Sequence, residues 1–185
     1  MLAYAFWHVP RADAVARAYE SAHGDFHDVL RAAGVPGLRG VRVSRLETIP
    51  WLDGQPGYED WHLLEGSANL DVLNDAAISM ARRLPHDRIA ALAGEGTAGL
   101  YGLRMGTNIT PTVAYWLSKP DGMTYGAFEA SMASLVAGGC ALWGRRMTLG
   151  PTPEFCLHAP AARSLSYPAQ TISLHHVSNW PGSSP

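Results

Sequence analysis

The sequence holds a single lysine, Lys119, only two cysteines, and no excess of positive charge: 14 basic and 16 acidic residues give a formal charge of −2. Each scarcity removes a class of function. Without a basic field nothing holds a phosphate backbone, and nucleic acid is not expected as a partner. No apolar run approaches the ~20 residues of a membrane span, so no membrane partner is expected either. Two thiols, Cys140 and Cys156, make no disulfide framework and read as reduced core residues. The apolar opening from Met1 to Val9 carries no cationic segment before it; it reads as a strand, not a secretory signal, and a cytoplasmic location is the expectation. What remains is 47% hydrophobic and 16% charged across 185 residues, enough to bury a core.

Periodicity divides the chain into elements. Leu2 to Val9 is a run of aromatic and aliphatic residues stopped by Pro10, the pattern of a buried strand. Ala14, Ala18, Ala22, Phe26, Val29 and Leu30 then recur at helical spacing until Gly34 and Pro36. Two strands follow, Leu38 to Leu46 and Tyr58 to Leu64, joined by a loop rich in turn residues. Leu70, Leu73, Ala77, Met80 and Ala81 form the stripe of a second helix, capped by Ser67 or Asn69 and ended or kinked by Pro85. A short helix with Asp87 as its cap leads to a strand over Thr97 to Met105. This β-α-β-β-α-β order is the ferredoxin-like unit, two helices covering one face of a four-stranded sheet.

The remaining residues repeat the plan. Ala114-Tyr115-Trp116 falls on Ala5-Phe6-Trp7, and a helix over Tyr125 to Val136 precedes strands at Ala141 to Leu149, Glu154 to His158 and Thr171 to Val177. Between the last two strands, Ala159 to Gln170 contains Pro160 and Pro168 and is too short for a helix with two loops. The second unit is therefore degenerate. Residues 1–106 and 107–185 form the two units of one compact domain. The second carries only seven charges in 79 residues. So few charges suggest a surface covered by another subunit, hence a homodimer or higher oligomer.

Two such units, opening with Ala3-Tyr4-Ala5-Phe6-Trp7-His8 and Ala114-Tyr115-Trp116, resemble a fused version of the dimeric α+β barrel superfamily. Tyr58-Glu59-Asp60-Trp61-His62-Leu63 is similar to the third strand of that group. The resemblance implies an α+β fold in which two sheets face each other and a small ligand sits between sheet and helices. It also implies a range of activities, from cofactor-free monooxygenases and cyclases to haem-binding enzymes and stress proteins. The Asn, Trp and His typical of the haem-degrading branch are not matched as a set: Trp61 is present, but His86 lies beyond Pro85.

Chemistry rests on the eight histidines. If Tyr4, Phe6 and His8 share one strand face, and Tyr58, Asp60 and His62 another, two imidazoles meet beside a carboxylate. His8 or His62 is then a general base for an acidic phenol or enol, Asp60 fixes its tautomer, and Tyr101 or Arg42 binds the oxyanion. A one-residue slip in register would reverse every face. Tyr4, Trp61, Tyr115 and His175 join Tyr101 and Arg42 as pocket candidates. His23 and His27, spaced i, i+4, lack a third ligand, and Gly24-Asp25 between them reads as a solvent-facing turn, so no metal or other cofactor is expected. Gly94 to Gly99 leads from helix into strand, the reverse of a phosphate loop, and no Gly-x-Ser-x-Gly elbow occurs. The leading expectation is a binder of a small apolar or aromatic metabolite that acts on it by proton transfer. The alternatives are a non-catalytic stress or interaction protein and a metal or haem binder.

Overall fold

A computed structural model of the chain describes residues 1–79, 82–146 and 151–181. The elements are β1 (Leu2–Pro10), α1 (Ala16–Ala32), β2 (Leu38–Ile49), β3 (Gln55–Leu64), α2 (Asn69–Ile78), α3 (Arg83–Leu92) and β4 (Ala93–Met105). They are followed by β5 (Val113–Leu117), α4 (Tyr125–Ala137), β6 (Ala141–Arg145), β7 (Phe155–Ala159), β8 (Gln170–Ser173) and β9 (His175–Pro181). Among the described residues this is a mixed α+β fold with four helices and one nine-stranded antiparallel sheet. No described helix is long and apolar enough to cross a membrane.

Strand order runs β8-β5-β7-β6-β4-β1-β3-β2-β9. In the first half β1 lies between β3 and β4 with β2 outside β3; in the second half β5 lies between β7 and β8 with β6 outside β7. The two halves thus share one strand order. The ends of the sheet, β8 and β9, are separated by Leu174 alone. One extended segment pairs with β5 through its first part and β2 through its last, which returns the sheet on itself.

Several local expectations shift. Met80 and Ala81 lie outside the described residues, as does the end of the strand expected to run to Leu149. Pro85 neither ends nor kinks α2; it occupies the first turn of α3, where a missing N–H costs nothing. Asp87 falls within α3, whose cap position is Arg82, and α2 has no side-chain cap. The strand expected from Thr97 begins earlier, so the whole glycine-rich stretch belongs to β4. Gly96 there faces the Phe6 ring, and a Cβ would come within 2.8 Å of it. No helix occurs between β7 and β8; Leu165, Tyr167 and Ala169 cover that face instead.

The interior face of the sheet collects Trp7, Trp61, Tyr101, Trp116 and Trp143 with Ala3, Ala5, Ala114 and Ala141. Small residues on the same strands leave room for the indoles, as the taper of a closed sheet requires. Trp7 and Trp116 meet edge to face at 5.4 Å, and Trp61 and Trp143 at 5.3 Å. Cys140 and Cys156 are both buried and unpaired. Trp116→Ala is expected to cost about 3–5 kcal/mol in urea unfolding by leaving a cavity, and Leu84→Ala, at an exposed position, less than about 0.5 kcal/mol.

Candidate functional site

The opposite face of β1 and β3 carries the polar groups. Alternation sends Tyr4, Phe6 and His8 outward from β1 and Tyr58, Asp60 and His62 outward from β3. The antiparallel register sets Tyr4 opposite His62, Phe6 opposite Asp60 and His8 opposite Tyr58. Asp60 therefore sits diagonally between both strand imidazoles. Across this face lies α1, whose buried residues Tyr19, Ala22, His23, His27 and Leu30 recur at three- and four-residue intervals. Their shared helix face delivers two further imidazoles to the same carboxylate.

The resulting cluster is tight. His8 Nε2 is 3.2 Å from Asp60 Oδ1, and His23 Nε2 is 2.9 Å from Oδ2. His27 Nε2 stands 3.8 Å from Oδ2, beyond hydrogen-bonding distance. The Tyr19 hydroxyl is 2.5 Å from His8 Nδ1, completing a chain Tyr19–His8–Asp60. His27 and His62 meet edge to face at 5.4 Å. Asp60 is 3% exposed and none of the four imidazoles exceeds 7%.

Charge is distributed unequally among them. Burial alone would raise the Asp60 pKa, but His23 and His8 outweigh it and hold the carboxyl well below its ordinary range. Burial opposes the charge on His23, yet Asp60 prevails and raises its pKa. For His27 burial wins and pushes the value down to about 3; for His62 it also wins, and the value falls. Protonation is thus favoured at His23, beside the Asp60 carboxylate, and disfavoured at His27 and His62.

Above the cluster opens a cavity of about 590 Å³ between the sheet and the helices. His8, Tyr19, His23, Asp60 and His62 form its polar wall. Phe6, Phe26, Leu70, Leu73 and Ile89 are among its apolar lining, and His86 also borders it. Such a space, mostly apolar with a few convergent polar groups, is the ordinary form of a small-molecule site.

The structure brings together His8, Asp60, His62 and Tyr4 at this cavity and leaves the other pocket candidates elsewhere. Trp61 and Tyr101 belong to the interior face of the sheet, since odd positions on β3 and β4 point inward. Arg42 is buried on that inner side too, its guanidinium 5.9 Å from the Trp61 ring and bonded to Asn108 and Ile109. Neither Tyr101 nor Arg42 reaches an oxyanion in the cavity. Tyr115 packs in the second half, where its hydroxyl donates to the Arg163 carbonyl. His175 is exposed, 3.7 Å from Glu47. Conversely, His23 and His27 are not on a solvent-facing turn. Together with Tyr19 they mark the buried stripe of α1, in phase with Phe26 and Leu30, and that phase was the available signal.

No family model and no curated protein sequence matches the chain. Solved structures do. An anthrone oxidase-like protein superposes with a TM-score of 0.54 at 8% identity, over 96% of this chain and 92% of that one. A candidate monooxygenase from Lactobacillus acidophilus NCFM gives 0.54 at 9% identity, over 97% and 95%. A candidate chlorite dismutase gives 0.50 at 10% identity, over 95% of each. The likeness is one of fold. It extends across nearly the whole chain, so both halves take part in it.

The cluster sets the acid response of the protein. His27 falls from 6.5 to about 3 on folding, so between those values the unfolded chain binds a proton that the native chain refuses. Stability drops as pH falls through that window, and His62 acts in the same sense. The raised His23 works oppositely: it stabilises below 6.5 and loses that contribution as pH rises through its folded value. The depressed Asp60 stabilises above 3.8 and gives way only at lower pH. Urea midpoints from pH 7 to 4.5 are expected to decline, with a shallower decline for His27→Gln and a steeper one for His23→Gln.

Proposed function

We propose that the protein binds a small, largely apolar or aromatic metabolite in the 590 Å³ cavity and removes a proton from an acidic phenol or enol on it. One observation carries this reading: the hydrogen-bonded chain Tyr19–His8–Asp60 lies in the wall of an otherwise apolar cavity. His8 donates from Nε2 to Asp60, which leaves Nδ1 as the acceptor for the Tyr19 hydroxyl. The ligand proton passes to the Tyr19 oxygen as the tyrosine proton passes to Nδ1, and Asp60 balances the imidazolium. His8 is favoured over His62 as the base because it alone holds both partners. The anion so formed is the starting point for a cofactor-free monooxygenase, a cyclase or an isomerase. The folds of an anthrone oxidase-like protein and a monooxygenase candidate support the first of these at low identity.

The same reading takes residues 1–106 and 107–185 as duplicated ferredoxin-like units of a fused dimeric α+β barrel, supported by their common strand order. It takes the protein as a cytoplasmic homo-oligomer, supported by the low charge of the second half.

A hydroxyanthraquinone tests the site directly, because its visible absorption shifts when its phenol ionises. The wild-type protein is expected to bind it saturably and to lower its apparent pKa. Tyr19→Phe and His8→Ala should each reduce proton-transfer turnover by at least ~10²-fold, and Ala77→Trp, which fills the cavity, should abolish binding. Saturable binding with an unchanged spectrum in both wild type and His8→Ala would refute the proton-transfer role.

A further inference from the structure

The proton chain uses His8, Tyr19 and one oxygen of Asp60 and leaves two buried imidazoles without a task. Neither ring nitrogen of His27 has a hydrogen-bond partner, nor does Nδ1 of His62. Both side chains are more than nine-tenths buried. Buried polar atoms are normally paired, so two unpaired imidazoles beside a buried carboxylate mark a missing partner.

We infer that His27, His62 and Asp60 form a three-ligand site for one divalent first-row transition cation at the base of the cavity. One ligand atom from each residue lies within 4.8 Å of the others. Donors about 2.1 Å from a tetrahedral ion stand ~3.4 Å apart, so the side chains must draw together by up to about 1.4 Å to close on it. Imidazole coordinates a metal through an unprotonated ring nitrogen, and both His27 nitrogens and His62 Nδ1 have no hydrogen-bond partner here. Two imidazoles and one carboxylate suit Zn²⁺, Fe²⁺ or Co²⁺ and not Ca²⁺ or Mg²⁺, which take oxygen ligands.

A second triad, His8, His23 and Asp60, satisfies the same distance test. Its nitrogens are spoken for: His8 is bonded at both ring positions, and His23 Nε2 is bonded to Oδ2. These two imidazoles act instead as the outer partners that orient the carboxylate ligand. Asp60 and His62 both line the cavity, so the free coordination positions face the space where a ligand sits. Four imidazoles converging on a carboxylate form a place for a bare cation, not an axial ligand to a porphyrin. The inference depends on the cluster alone and not on which molecule fills the cavity.

Chelator-treated protein titrated with Co²⁺ tests it, read by visible ligand-field bands and by calorimetry. One equivalent is expected to bind with micromolar or tighter affinity, and Zn²⁺ is expected to displace it and to raise the wild-type Tm. His27→Gln and His62→Gln should each weaken binding by ~100-fold or more, His23→Gln by about 10-fold as an outer partner. His175→Gln, at an exposed position outside both triads, should have no effect. Because buried variants can misfold, wild-type His27 and His62 ring resonances provide a second arm: both should be broadened first by substoichiometric Co²⁺. Absence of stoichiometric binding by the wild type overturns the inference, as does binding that survives His27→Gln but is lost in His8→Gln. Binding of the anthraquinone probe by metal-free protein would stand through either failure, which keeps the two proposals separable.

Discussion

The buried carboxylate of Asp60 is the constraint on which the rest of this site depends. At 3% exposure a carboxylate cannot stay ionised without partners, because desolvation costs far more than folding leaves to spare. The chain supplies those partners from two sources. β1 brings His8 through strand register, and α1 brings His23 through helical phase.

Adjacent carboxylates on β3 show how the environment divides roles. Glu59 points into the interior, where burial raises its pKa to about 7 despite a bond from Trp7 Nε1 at 2.7 Å and the more distant Arg42. Asp60, one residue on, points to the helices and is held well below its ordinary range by His23 and His8. Strand alternation alone separates the two. The inward face is filled by indoles and serves the fold, while the outward face keeps an open volume and four imidazoles. That segregation lets the site carry strained electrostatics without exposing the main core to water.

Much of this was legible in the sequence, and the failures have physical causes. The element order of the first half, the faces of β1 and β3, and the lack of a helix between β7 and β8 all followed from periodicity and proline placement. The expected α1 stripe shares Ala22 and Leu30 with the buried face but lies one residue out of phase at Ala18, which is exposed where Tyr19 is buried, and Gly24-Asp25 suggests a turn where His23 and His27 face inward. Small alanines such as Ala14 and Ala18 do not report which face is buried; the larger Tyr19 does. Aromatic content cannot tell a packed interior from a cavity wall, which is why Trp61 and Tyr101, expected at a pocket, pack in the interior. The last strand is expected to stop at Val177, whereas β9 runs on to Pro181 and pairs with β2, because Ser178 and Asn179 interrupt the apolar pattern there.

Imidazole protonation, read by long-range ¹H–¹⁵N correlation on the metal-free protein near pH 6, tests the central claim most directly. The account predicts that His23 is cationic while His27 and His62 are neutral, and that Asp60→Asn returns His23 to the neutral form. A neutral His23 in the wild type, a cationic His27, or a His23 charge untouched by Asp60→Asn would contradict it.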